Sequence, residues 1–164
     1  MKSSLCIGLF GSCGTSKWRD KFIKKFTANN IKFFNPLKED WKPEDAKIEA
    51  EHLASDEIIL IAITGETFSS ASLAETGYAI LNTINSQERR SVVIFIDQKL
   101  NPLLEIENPT AAKESKNARK IILSHLEHVQ NKVPNVKVVN SLDEMLTFSV
   151  NLYKLHEQSH KVFD

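Results

Sequence analysis

The chain has 164 residues, 41% of them hydrophobic and 26% charged, a balance that suits one globular domain over 1–164 and excludes a disordered or fibrous chain. Its 21 basic residues match its 21 acidic ones, so no net field recruits nucleic acid or an anionic membrane, and a small polar ligand is the better expectation. No apolar run approaches the about 20 residues that cross a bilayer. Cys6 and Cys13 form no Cys-x-x-Cys pair and stand at no zinc-type spacing from histidine, which points to a reduced, cytoplasmic setting and no metal.

Residues 5–10 read as a buried strand. They are too short an apolar segment, and lack the small-residue cleavage site, for a secretory leader. Gly11-Ser12-Cys13-Gly14-Thr15-Ser16 then supplies a turn and helix-capping chemistry. Trp18, Phe22, Ile23 and Phe26 recur at helical spacing, so a helix with one buried face is expected up to Asn29-Asn30. A second strand over 31–34 ends at Asn35-Pro36, where proline biases the chain away from helix.

After a loop through Trp41, proline and acids at 43–45 start a helix that runs to Ser55. Residues 56–64 make the most apolar strand, expected to be central. The hydroxyl-rich loop Phe68-Ser69-Ser70-Ala71-Ser72 opens a helix that carries Glu75 in its first turn and runs to about Asn82. Residues 91–96 give a fourth strand, 101–110 a proline-broken loop, 111–131 a long helix, 136–139 a fifth strand and 142–156 a final helix with Ser141 as its cap. Residues 157–164 are expected to fray.

Strands alternating with helices demand a parallel sheet covered on both faces. The simplest arrangement is an α/β, flavodoxin-like three-layer sandwich whose five-stranded parallel sheet has the order 2-1-3-4-5. It places ligands at the carboxyl ends of strands one and three, where the loops at 11–16 and 68–72 both emerge.

Several side chains there suit a cleft. The 11–16 loop allows close backbone approach to a phosphate, but it matches neither the dinucleotide nor the Walker pattern and is equally a tight turn. Glu75 near a helix N-terminus is expected to be held ionised by the helix dipole, as suits a nucleophile, although most such acids simply favour their helix. Glu49 and Asp56 precede the central strand and are candidates to reach the same cleft, whereas Glu51 reads as a solvated acid. Trp18 and Trp41 are candidate walls for a base, although a helical Trp such as Trp18 is more often a core residue. Arg19 is placed to meet a phosphate or carboxylate. Cys13 reads as a lining residue and Cys6 as a buried strand residue. The pairs His125/His128 and His156/His160 lack nearby acids or cysteines in a helix-face pattern and read as incidental surface placement. The long helix at 111–131 reads chiefly as a cover for the sheet, with assembly as a second role.

Taken together, Gly8-Leu9-Phe10-Gly11-Ser12 with Trp18-Arg19, Phe34-Asn35-Pro36 with Trp41, Glu49 through Leu53-Ala54-Ser55-Asp56, and Ser72-Leu73-Ala74-Glu75-Thr76-Gly77-Tyr78-Ala79 resemble the nucleoside 2-deoxyribosyltransferase family, in its divergent branch. The resemblance spans about residues 5–93. It implies a flavodoxin-like fold and cleavage of the N-glycosidic bond of 2′-deoxynucleosides by double displacement, with Glu75 as nucleophile and no metal or organic cofactor. Gly11, Ser12, Trp18 and Arg19 would form the ribose or phosphate side, Asn35, Pro36 and Trp41 would border the base, and Ser69 and Ser72 would also contact substrate. Better-studied members carry an acid one and a half helical turns before the nucleophile, and Ser69 stands near that position here. Glu49, Asp56 or a neighbouring subunit would then assist base departure. The expected partners are a nucleoside or nucleotide, a nucleobase and possible further copies of the chain. A non-catalytic nucleotide-binding or sensor module on the same fold is the rival reading.

Overall fold

The computed structural model describes residues 4–85 and 90–163. Its elements in chain order are β1 (Ser4–Gly11), α1 (Trp18–Ala28), β2 (Phe33–Phe34), α2 (Asp45–Ser55), β3 (Asp56–Ile63), α3 (Ser70–Asn85), β4 (Ser91–Ile96), α4 (Pro102–Glu107), α5 (Pro109–Gln130), β5 (Val136–Val139) and α6 (Leu142–Phe163). The strands form one five-stranded sheet in the order β2-β1-β3-β4-β5, and every pair is parallel. The expected α/β three-layer architecture and strand order are therefore present.

Burial explains why the apolar runs become strands. All eight residues of β3 are buried, as a central parallel strand covered on both faces requires. Side chains alternate along it. Ile58, Leu60 and Ala62 join Ile7 and Leu9 of β1 in a core closed by Trp18, Phe22 and Phe26 of α1 and Met145, Val150 and Tyr153 of α6. Ile59, Ile61 and Ile63 face the other way, toward Leu53 of α2, Leu73 and Ala79 of α3 and Leu126 of α5. Burial on both faces is the main stabilising contribution, at about 1.5–3 kcal/mol for each fully buried Ile, Leu or Phe.

Several boundaries differ from the sequence reading. The edge strand β2 holds only Phe33–Phe34, because Ile31 turns into the core and donates its N–H to the last turn of α1 at Phe26 (3.0 Å). The loop at 101–110 contains α4: Asn101 caps it through the Leu103 N–H and Asn108 caps α5 through the Ala111 N–H, each followed by a proline in the first turn. Proline there starts a helix instead of breaking one. Helix α3 continues to Asn85.

The largest difference is at the C-terminal end, where α6 continues to Phe163. His156 Nδ1 and His160 Nε2 meet opposite oxygens of the Glu57 carboxylate at 3.0 and 2.8 Å, and that carboxylate is fully buried. This histidine pair thus anchors α6 to a buried carboxylate and is not incidental surface placement, and the tail it carries is helical. The partner acid lies 99 residues away in sequence, which is why helix-face spacing alone could not reveal it. No helix among the described residues is long and apolar enough to cross a membrane.

Candidate active site

Two loops meet at the carboxyl ends of β1 and β3, the point where the chain order across the sheet reverses. Gly11 ends β1 with φ +123°, and a Cβ there would stand 2.2 Å from the Ala62 carbonyl oxygen. Only glycine lets β1 and β3 approach so closely. The next residue, Ser12, is fully buried. Its N–H donates to Ala62 O at 2.8 Å, its Oγ accepts from the Thr64 N–H at 2.9 Å, and its hydroxyl shares a 2.6 Å hydrogen bond with Ser69.

Two buried arginines fix these loops. Arg19 donates from Nε to Leu9 O (2.9 Å), from Nη1 to Ser12 O (2.6 Å) and from Nη2 to Gly11 O (3.0 Å). Arg119 of α5 donates from Nη1 to Asp97 O (2.6 Å) and from Nη2 to Thr64 O (3.0 Å) and Thr67 O (2.9 Å). Ser115, one turn earlier on α5, donates to Phe68 O at 2.8 Å. Five donors in a rigid plane suit a guanidinium to gathering several backbone carbonyls at the end of a sheet.

Between the loops and α2 lies a cleft of about 510 Å³, lined by residues that include Phe10, Gly11, Arg19, Pro36, Trp41, Glu49, Ser69, Ser72 and Glu75. That volume falls within the about 300–1,000 Å³ of ordinary small-molecule sites. Trp41 is half exposed, and its Nε1–H donates to Glu49 Oε1 at 2.7 Å. Ser69 adopts φ +56°, and its hydroxyl also bonds the Thr67 hydroxyl at 2.8 Å.

Glu75 is the sixth residue of α3, in the second turn and not the first. The dipole effect fades within one turn, so it does not hold this carboxylate ionised as the sequence suggested. Burial instead pushes its carboxyl up from the ordinary value, the nearby Glu49 charge adds to the rise, and Arg19 opposes both. A buried carboxyl beside a second acid holds its proton more firmly than a solvated one, and this is the direction of the Glu75 shift.

Four expected site residues stand elsewhere. Ser12 is sealed between the loops and does not line the cleft. Trp18 is a core residue, packed edge-on against Phe22 and donating from Nε1 to Ser12 O at 3.1 Å; it holds the loop from behind. Asn35 turns its side chain back to accept from the Leu37 N–H at 3.1 Å, leaving Pro36 as the residue at the wall. Asp56 begins β3, six residues before Ala62, or roughly 20 Å at about 3.3 Å per residue. Arg19 does line the cleft, but its contacts with three carbonyls and with Cys13 Sγ at 3.7 Å commit it to the loop more than to a phosphate.

Asp56 instead lies beside Cys6 and His52. His52 Nδ1 is 3.0 Å from Asp56 Oδ1, and the ligand-type atoms of all three residues lie within 4.8 Å of one another. Burial raises both acids: the Cys6 thiol is pushed up to about 12, helped by the adjacent Asp56, and the Asp56 carboxyl rises although His52 pulls the other way. Sequence spacing missed this group because its members come from β1, α2 and β3. Arg119 was also missed; the signal for it was the stripe Ala112, Ser115, Arg119, whose small residues leave room for a buried guanidinium.

A family model described as "Nucleoside 2-deoxyribosyltransferase like" matches residues 6–97, more than half of the chain and all of the segments that build the cleft. Among solved structures, the crystal structure of a conserved protein from Enterococcus faecalis V583 is similar with a TM-score of 0.48 at 12% identity, covering 90% of this chain and 96% of that one. No curated protein matches the chain.

Proposed function

Because the chain belongs to the nucleoside 2-deoxyribosyltransferase-like family, we propose that it cleaves the N-glycosidic bond of a 2′-deoxynucleoside or its 5′-monophosphate, with Glu75 as the nucleophile. The observation that carries this reading is the position of Glu75: it lines the cleft at the topological switch point, partly desolvated and facing the charge of Glu49.

In the proposed reaction a Glu75 oxygen attacks C1′, the C1′–N bond breaks, and the electron pair leaves with the base. The oxocarbenium-like transition state places positive charge on the sugar, which an ionised carboxylate at contact distance stabilises. A second base or a water then displaces Glu75, and the two inversions retain the anomeric configuration.

Glu49 is the better-placed group to carry the proton for the departing base. It shares the cleft with Glu75, whereas Asp56 lies at the far end of β3 and the Ser69 hydroxyl is engaged by Ser12 and Thr67. Trp41 fixes Glu49 and offers an exposed aromatic face for a base. Arg19, the one charge that lowers the Glu75 pKa, favours the ionised carboxylate that attacks.

Chromatography of a mixture of deoxynucleosides, their 5′-monophosphates and free bases incubated with the protein tests the proposal. New nucleosides identify transfer, and free base with deoxyribose or its phosphate identifies hydrolysis. An unchanged mixture would overturn catalysis, and melting shifts with the same compounds would then favour a binding module.

A further inference from the structure

The group formed by Cys6, His52 and Asp56 has no part in the proposed reaction. Cys6 and Asp56 are each 1% exposed, while the His52 side chain is about one-third exposed. His52 is oriented from both sides. Its ring stacks on Phe34 at 3.7 Å and 4°, and its Nδ1 meets both Asp56 oxygens at 3.0 and 3.1 Å. Gly8 leaves room for the Asp56 carboxylate, since a Cβ there would stand 3.1 Å from Oδ2.

We propose that these three residues form a binding site for a zinc-class divalent ion, with Cys6 Sγ, His52 Nδ1 and an Asp56 oxygen as ligands. A sulfur, nitrogen and oxygen set selects zinc, cobalt and similar ions and disfavours magnesium and calcium, which take oxygen ligands. Bonds of about 2.0–2.3 Å at tetrahedral angles put ligand atoms about 3.4–3.6 Å apart. The observed limit of 4.8 Å therefore closes with side-chain movement on the order of 1 Å, and His52, one-third exposed, is the member of the group nearest solvent.

Charge also balances. On binding, the Cys6 thiol loses its proton to solvent and the His52 proton moves from Nδ1 to Nε2, so a dication joins a thiolate, a carboxylate and a neutral imidazole. The result is neutral, which a buried site tolerates better than a lone anion. The nearest other cations act on single members of the group: Lys32 on Cys6 and Arg90 on Asp56, and Arg90 is held at the Ala54 carbonyl at 2.5 Å. An ion here would tie α2 to β1 and β3, three residues after the Glu49 that lines the cleft.

The test is titration of the full chain, freed of metal by a chelator, with Co2+ alone. The expected result is a thiolate-to-cobalt charge-transfer band that saturates at one equivalent, persists in Cys13→Ser and is lost in Cys6→Ser. His52→Gln changes a part-exposed side chain and serves if Cys6→Ser does not fold. Its Co2+ affinity is expected to fall by more than the about 10–100-fold that loss of a supporting contact costs. Zn2+, but not Mg2+, should raise Tm of the wild type and of Cys13→Ser. Absence of the band in the wild type, its persistence in Cys6→Ser, or unchanged affinity in His52→Gln would overturn the site.

Discussion

The hydroxyls of Ser12 and Ser69 lie 2.6 Å apart and join the loop after β1 to the loop before α3. Ser12 spends its remaining capacity on the Thr64 N–H, so it is the latch between the two loops that frame the cleft. Ser12→Ala removes an acceptor from a buried N–H and is expected to cost about 1–3 kcal/mol, read from denaturant unfolding. A Ser12 that bound substrate directly would instead raise KM and leave stability unchanged.

Gly11→Ala is expected to be more damaging. The new methyl would meet the Ala62 backbone at 2.2 Å in a conformation with φ +123°; strain and overpacking together should cost about 2–5 kcal/mol. Thermal unfolding of the variant, with the cleft probed by nucleotide-induced Tm shifts, checks this. Wild-type stability would show that β1 and β3 can separate without loss.

Glu75 gives a signed pH dependence. An unfolded Glu titrates near about 4.3, and the folded carboxyl holds its proton to higher pH. Between those two values the native state binds the extra proton, so its stability falls as pH rises. Glu75→Gln removes that loss. Its stability relative to wild type should rise above about pH 4.3 and level off once the wild-type carboxyl has ionised. Unfolding curves from pH 4 to 8 would contradict the account if the difference had the opposite slope.

Much of the frame was legible because it rests on local pattern. The continuous apolar run at 58–63 matches a strand buried on both faces, and the Trp18, Phe22, Phe26 spacing fixed the inner face of α1. The hydroxyl-rich segment before Glu75 marked the rim of the sheet. What stayed hidden depends on long-range pairing. Nothing near Ser12 says that its hydroxyl is consumed by Ser69, nothing near Glu57 says that two histidines of α6 will close on it, and Asp56 could not be separated from Glu49 until strand direction put Asp56 at the end of β3 away from the cleft that Glu49 lines.

The helical tail follows the same logic. Ending the chain before His156 would leave Glu57 buried without the two imidazoles that face it. A hydrogen bond to a charged group typically contributes about 1.5–3 kcal/mol. Such a truncation should lower Tm and the denaturant midpoint together, and a shortened chain as stable as the full one would show that the last turns of α6 only fray.

The most direct test of the central claim compares turnover of a 2′-deoxynucleoside or its 5′-monophosphate by the wild type and by Glu75→Ala, both shown to be folded by circular dichroism. The account predicts that the variant loses more than about 10⁴-fold in rate, as removal of a nucleophile does elsewhere, while still binding nucleotide. Turnover by Glu75→Ala at the wild-type rate would contradict it.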